Sequence, residues 1–215
     1  MHVRWSHETP RPETDLVVFL HGFGADENDL WPIGNYFDAH YTIASVQAPT
    51  PLPPQFGGYC WFPISVELEA DAEEVRAAIV ELDDWVQSAA ENYRSVSLLG
   101  FSQGMAMATS LMRMRPGRYA SVIGLSGFVI ESPELEDLFQ DEEFAASNQP
   151  VFWGYDPEDP VVASDRIEQT GAWLRPRVDL VEKTYHGVGH GIHPREIEHF
   201  IAFLNEHVQT SPQKS

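Results

Sequence analysis

Residues 100–104 read Gly-Phe-Ser-Gln-Gly, and no other stretch restricts what this chain can fold into as tightly. They follow Val96-Ser97-Leu98-Leu99, a short apolar run that reads as a buried strand, and open into Met105-Ala106-Met107-Ala108-Thr109-Ser110-Leu111-Met112, which reads as a helix. A Gly-x-Ser-x-Gly segment between strand and helix is a nucleophile elbow, a turn so tight that the serine takes a strained backbone conformation and lifts its hydroxyl above the sheet. Glycines two residues to either side are needed because a Cβ there would collide with the neighbouring strand or helix. The pentapeptide alone carries little, since glycine and serine are common. In this setting it marks Ser102 as a candidate nucleophile, with an ordinary strand-to-helix turn as the plain alternative.

Strand-like runs at Asp15–Leu20, Tyr41–Gln47, Ser95–Leu99, Ser121–Leu125, Val151–Trp153 and Val178–Tyr185 alternate with helical segments. Helices are predicted over Glu27–Phe37, Asp71–Asn92, Gln103–Arg113, Asp165–Leu174 and Arg195–Val208. In the second of these, Val75, Ile79, Leu82, Val86 and Ala89 recur at three- and four-residue spacing, the mark of an amphipathic helix. This alternation predicts an α/β fold, a mainly parallel sheet with helices on both faces. Met1–His7 is expected to add an edge strand, and residues 210–215 to be a disordered tail. One domain over residues 1–209 then remains, with no room for a separate cap domain. In such sheets chemistry gathers at the carboxyl ends of the strands, so site residues belong in the loops that leave them.

Charge excludes several partners. The chain carries 33 acidic residues against 13 basic, a net −20, which repels phosphate backbones and anionic lipid heads. Neither nucleic-acid binding nor stable membrane association is expected. The acids are densest in Glu67–Glu91 and Glu131–Glu143, as solvated faces, and a surface with Lys183 and Lys214 as its lysines also suits a salt-rich cytoplasm. No stretch approaches the roughly 20 apolar residues that span a bilayer. Residues 1–8 lack the apolar core of a signal peptide, so a cytoplasmic protein is the economical expectation. A single cysteine, Cys60, forms no intrachain disulfide and no thiolate metal cage.

Loops after the predicted strands hold the remaining candidates. His21-Gly22-Phe23-Gly24 follows the strand ending at Leu20 and matches the loop that donates a backbone N–H to the tetrahedral intermediate in serine hydrolases. The oxyanion donors it implies are the amides of Phe23 and Gln103, while His21 is read as structural; the bland alternative is a glycine-rich turn capped by Asp26. After Val151-Phe152-Trp153, the acids Asp156, Glu158 and Asp159 are each candidates to orient a base. Asp159 has a competing reading as a helix N-cap before Pro160, although Asp165 with Glu168 makes the better capping box for the following helix. His190 lies between glycines in His186-Gly187-Val188-Gly189-His190-Gly191-Ile192-His193, free to swing over Ser102, and is the candidate base. His193, ahead of Pro194, suits a capping role. A zinc site on His186, His190 and His193 fits poorly, because no His-Glu-x-x-His occurs and glycines make a poor frame for ligands, so no metal and no cofactor are expected.

Taken together, the chain resembles the acyl-protein thioesterase and small carboxylesterase (phospholipase/carboxylesterase) family of α/β-hydrolases. The resemblance rests on Leu20-His21-Gly22-Phe23-Gly24, Gly100-Phe101-Ser102-Gln103-Gly104-Met105-Ala106, Gly124-Leu125-Ser126-Gly127-Phe128, Asp159-Pro160-Val161-Val162 and Gly187-Val188-Gly189-His190, in the family's order. It implies an α/β-hydrolase fold and a serine esterase with Ser102, Asp159 and His190 as catalytic triad. In the family, Asp-Pro-Val-Val carries the triad acid. The chain departs from the pattern where Gly154 follows Trp153 instead of a histidine and two extra residues separate it from Asp159. The resemblance implies small ester substrates, or acylated proteins cleaved as thioesters, and is compatible with a homodimer. Lysophospholipase action is a further variant of the same chemistry, and a non-catalytic binder on a hydrolase scaffold is the rival from another class. The proline-rich stretch Ala48–Pro63 is expected to wall an open groove, with Phe56, Tyr59, Trp61 and Phe62 either receiving the acyl group or pinning the loop to the body. Cys60 among them is read as a packed thiol.

Overall fold

The computed structural model describes residues 1–64 and 70–210. In chain order the elements are β1 (Val3–Trp5), β2 (Asp15–Leu20), β3 (Tyr41–Val46), β4 (Thr50–Pro51), β5 (Tyr59–Cys60), α1 (Ala72–Ala90), β6 (Val96–Phe101), α2 (Gln103–Met114), β7 (Val122–Leu125), α3 (Asp141–Ser147), β8 (Pro150–Tyr155), α4 (Ser164–Leu174), β9 (Asp179–Thr184) and α5 (Pro194–Thr210). The main sheet runs β1-β3-β2-β6-β7-β8-β9; β1 pairs antiparallel to β3 and every other pairing is parallel. β4 and β5 form a small separate hairpin.

Successive residues of one strand serve opposite layers. Leu16, Val18 and Leu20 of β2 pack into the layer built from α1, α2, α3 and α4. Val17 and Phe19 pack into the second layer, with Phe200, Phe203 and Leu204 of α5. A strand buried on both faces has no polar side to present, which is why these strands read as continuous apolar runs. α1 begins on Asp71, whose carboxylate accepts from the amides of Glu73 and Glu74 at 3.0 and 3.1 Å.

From β2 the chain passes outward to β3, whose far edge pairs with β1, then returns through α1 to place β6 on the other side of β2. The carboxyl ends of β2 and β6 therefore meet where the winding reverses, the crevice in which open α/β sheets bind ligands. Leu20 is opposite Gly100 in that pairing, so the loop beginning at His21 and the turn at Ser102 leave the sheet side by side.

Three expectations change. Residues 27–37 form turns and a 3-10 segment, Trp31–Tyr36, instead of an α-helix. Pro32 lacks the amide that an α-helix running through 27–37 would need to donate at that position. The capping box expected at Asp165 and Glu168 does not form, because α4 starts two residues earlier with Ala163 at its N-cap and Asp165 inside the first turn. α3 and the β4–β5 hairpin are additional elements. The tail expected over residues 210–215 falls, after Thr210, outside the described residues.

Candidate active site

Ser102 has φ 53° and ψ −118°, a conformation that L residues rarely adopt and that costs roughly 1–3 kcal/mol. Its neighbours hold it there. The Ser102 N–H donates to the Leu125 carbonyl of β7 at 2.9 Å, and the Ser102 carbonyl accepts from Met105 as α2 begins. A Cβ on Gly100 would lie 2.2 Å from the Gly104 carbonyl oxygen, and one on Gly104 would lie 1.9 Å from that of Leu20. Both flanking glycines are thus required by close backbone approach.

The Ser102 hydroxyl lies 3.0 Å from Nε2 of His190, whose Nδ1 lies 2.7 Å from Oδ2 of Asp159. A carboxylate only accepts, so Nδ1 carries the proton, and Nε2 is left to accept from the serine hydroxyl. His190 is partly open to solvent, with 18% of its side chain exposed, whereas the Asp159 side chain is buried. Oδ1 of Asp159 also accepts from the amides of Val161 at 2.7 Å and Val162 at 3.1 Å; these bonds hold a turn and not a helix N-cap, since α4 starts at Ser164 on Ala163, and the imidazole takes the other oxygen. The lengthened segment before it is accommodated in a turn through Pro157 and Glu158, closed by the Asp159 N–H on the Asp156 carbonyl.

Asp156 faces elsewhere. Its Oδ1 accepts from Glu158 N–H at 3.0 Å and its Oδ2 from Gly189 N–H at 2.8 Å. These bonds, with further ones from the Gly187 and Val188 amides, hold its carboxyl below the usual carboxylate range. Glu158 is exposed. Of the three candidate acids, Asp159 alone reaches the imidazole.

The loop after β2 closes over the elbow. A Cβ on Gly22 would stand 3.3 Å from that of Ser102, and Gly24 takes φ +83°. Among the described residues, the amides of Phe23 and Gln103 donate to no protein acceptor. His21 is buried and structural: its Nδ1 donates to the Gly22 carbonyl at 2.7 Å and its Nε2 accepts from Ala48 N–H at 3.0 Å. Burial lowers its pKa, which keeps this neutral tautomer.

The Gln103 side chain has a role not anticipated from sequence. Its Oε1 accepts from Trp61 N–H at 2.9 Å and its Nε2 donates to the Phe62 carbonyl at 2.7 Å, fastening the proline-rich stretch to the start of α2. Trp61 and Phe62 are 1% and 3% exposed, and the Trp61 indole donates to the His21 carbonyl at 2.9 Å. Both residues pin the loop; as they stand they present no surface to an acyl group. Tyr59 is half-buried, pairing through its backbone with Ala25, and Phe56 is 75% exposed. Cys60 is buried, and burial pushes its thiol pKa up, as a packed thiol requires.

The three histidines of the β9–α5 connection serve three different ends. His190 faces Ser102, His186 is exposed, and Nδ1 of His193 accepts from Arg195 N–H at 3.1 Å to cap α5. Glu196 completes that cap by accepting the His193 N–H at 3.1 Å on Oε2, while its Oε1 is buried without a partner among the described residues. Burial raises the Glu196 pKa to about 7. The folded chain thus keeps a proton that the unfolded chain releases near 4.5, and stability falls as pH rises through that interval. Glu196→Gln, neutral throughout, is expected to remove this slope and to raise stability at pH 8 by about 2–3 kcal/mol, with little change at pH 4.5. Thermal melts of both proteins at the two pH values check this.

A sheet of this order, with a serine–histidine–aspartate chain of hydrogen bonds at the carboxyl ends of its strands, defines an α/β-hydrolase. The profile of the phospholipase/carboxylesterase family matches residues 7–208. The chain belongs to that family, and it is an ester-hydrolysing serine hydrolase. Acyl-protein thioesterase 1 of Debaryomyces hansenii is 26% identical over 224 residues, covering 92% of this chain and 93% of the relative. Among solved structures, esterase PE8 superposes with a TM-score of 0.77 at 24% identity, covering 95% of this chain and 97% of that one. The Bacillus cereus carboxylesterase gives 0.78 at 20% identity, with coverage of 95% and 93%. Among the described residues, no helix is long and apolar enough to cross a membrane.

Proposed function

We propose that the chain is a carboxylesterase acting on short- to medium-chain acyl esters through an acyl-enzyme on Ser102, with His190 as general base and Asp159 as its orienting acid. The observation that carries this reading is the continuous hydrogen-bonded line from the Ser102 hydroxyl through both imidazole nitrogens to the Asp159 carboxylate. Nε2 of His190 takes the hydroxyl proton as Oγ attacks the acyl carbon, and the carbonyl oxygen becomes an oxyanion held by the Phe23 and Gln103 amides. His190 then gives the proton to the departing alcohol or thiol. Water, deprotonated by the same nitrogen, attacks the acyl-enzyme and frees the carboxylic acid and Ser102. The Asp159 carboxylate keeps the proton of the resting imidazole on Nδ1 and stabilises the cation that forms.

The rim supports an acyl substrate. Phe23 beside the donor amide, Val161 two residues beyond Asp159 and Phe56 on the proline-rich stretch are exposed at 41%, 55% and 75%. Apolar side chains left in water, two of them on the loops that carry the donor amide and Asp159, suit a group that brings its own apolar surface. Acyl-protein thioesterase action is the second reading, favoured by the D. hansenii relative, and it needs the same machinery. A panel of p-nitrophenyl esters and the matching acyl thioesters, from two to sixteen carbons, separates the readings. The esterase reading expects kcat/KM to peak on oxygen esters of about four to eight carbons. A peak on long-chain thioesters favours the second, and no hydrolysis of any member contradicts both.

A further inference from the structure

His190 sits on a loop whose apolar side chains, Val188 and Ile192, are only partly buried against the layer of α5. Gly187 and Gly189 have φ of +81° and +62°; a Cβ on the first would meet nothing within 4 Å, and one on the second only the Pro160 ring at 3.6 Å. His190 itself is part-exposed, with Phe101 as its ring neighbour at 5.0 Å. Ordering such a loop costs several residues' conformational freedom, which the partial burial of Val188 and Ile192 offsets only in part. Polar contacts supply the rest of its order.

Two such contacts flank the imidazole on its own backbone. On one side the Asp156 carboxylate accepts the Gly189 N–H at 2.8 Å. On the other the Ser126 hydroxyl donates to the Gly191 carbonyl at 2.9 Å. Each anchor is itself fixed. Asp156 is 1% exposed, and its other oxygen holds the turn leading to Asp159. Ser126 is 1% exposed, takes φ 44°, and its N–H donates to the Gly154 carbonyl of β8 at 2.8 Å. A non-glycine residue at positive φ with a buried hydroxyl aimed at a neighbouring loop costs free energy that a plain strand end would not require.

We infer that Asp156 and Ser126 are positioning residues that moor the chain immediately before and after His190, and so set where its Nε2 stands against the Ser102 hydroxyl. The inference rests on the reading of His190 as base. It gives Leu125-Ser126-Gly127-Phe128 a purpose: the end of β7 carries the serine that ties down the loop after β9. It also gives a purpose to the two residues that lengthen the segment between β8 and Asp159, because the turn they form leaves one buried carboxylate for the loop and a second for the imidazole. Displacement of a base by about 1 Å is enough to slow proton transfer about 100-fold.

The test is kinetic. Asp156→Asn, Ser126→Ala and the double variant are assayed on p-nitrophenyl butyrate for kcat and KM separately, and hydrogen exchange is followed over residues 187–191. Each single change is expected to lower kcat about 10- to 100-fold with KM held within about threefold. The double should fall little below the worse single, since either loss already frees the loop. Exchange at residues 187–191 should quicken in Ser126→Ala while α5 stays protected. A kcat within about twofold of the parent in both singles, losses that multiply in the double, or unchanged exchange in Ser126→Ala overturns the inference. Ser102→Ala separates this from the underlying reading. If it is inactive while the mooring variants keep parental kcat, the mooring alone fails; if it stays active, the role given to His190 fails first.

Discussion

Ser102→Ala is expected to lower kcat on a p-nitrophenyl acyl ester by roughly 10⁴- to 10⁶-fold while leaving the circular dichroism spectrum and melting temperature close to the parent's. The size follows from what one oxygen does. In the proposed mechanism it is the atom that becomes bonded to the acyl carbon, and without it the imidazole would have only bulk water to activate. The residual rate comes from the Phe23 and Gln103 amides and from substrate binding, neither of which the substitution touches. The fold survives because the strained turn is held by backbone contacts to Leu125 and Met105 and by the tight approach of Gly104 to Leu20. Alanine at this φ has no hydroxyl to lose to packing. A loss below tenfold would mean that another group forms the covalent intermediate.

Asp159→Asn is expected to cost about 10³- to 10⁴-fold in kcat, far more than Asp156→Asn. An amide nitrogen facing Nδ1 is a donor, so the imidazole would turn to the tautomer with its proton on Nε2, and Nε2 could no longer accept from Ser102. The other oxygen of residue 159 can still accept from Val161 and Val162, which keeps the loop folded. Comparison of the two asparagine variants, with kcat and melting temperature taken on the same preparations, ranks the two aspartates. If Asp156→Asn were the more damaging, the geometry in which Asp159 bonds to the imidazole would not be the working one.

Much of this site was legible before any coordinates. Gly100 and Gly104 announce a turn where a side chain cannot fit, and the structure supplies the carbonyl oxygens that a Cβ would strike. Apolar runs such as Leu16–Leu20 read as strands because both of their faces are covered. The line from Ser102 through His190 to Asp159 followed the order expected of a resembling family, even where the segment before Asp159 is longer than usual. What stayed hidden were contacts between polar groups far apart in the chain. The Gln103 amide fastens Trp61 and Phe62, 42 and 41 residues away, and Ser126 reaches Gly191 across 65. Nothing in local composition marks a glutamine or serine as one end of such a bond. The same limit explains why Trp61 and Phe62 were equally readable as substrate contacts: an aromatic on a proline-rich loop looks alike whether it faces solvent or the interior. Residues 27–37 differ for a local reason, since a helix drawn through them meets Pro32, whose missing amide leaves a 3-10 segment.

The most direct measurement is covalent capture of the nucleophile. The protein is treated with a fluorophosphonate, digested, and its peptides mapped by mass. One adduct per chain on Ser102, abolished in Ser102→Ala and slowed in Asp159→Asn, is the result expected. An adduct on any other residue, or none under conditions where the protein still hydrolyses esters, would contradict the account.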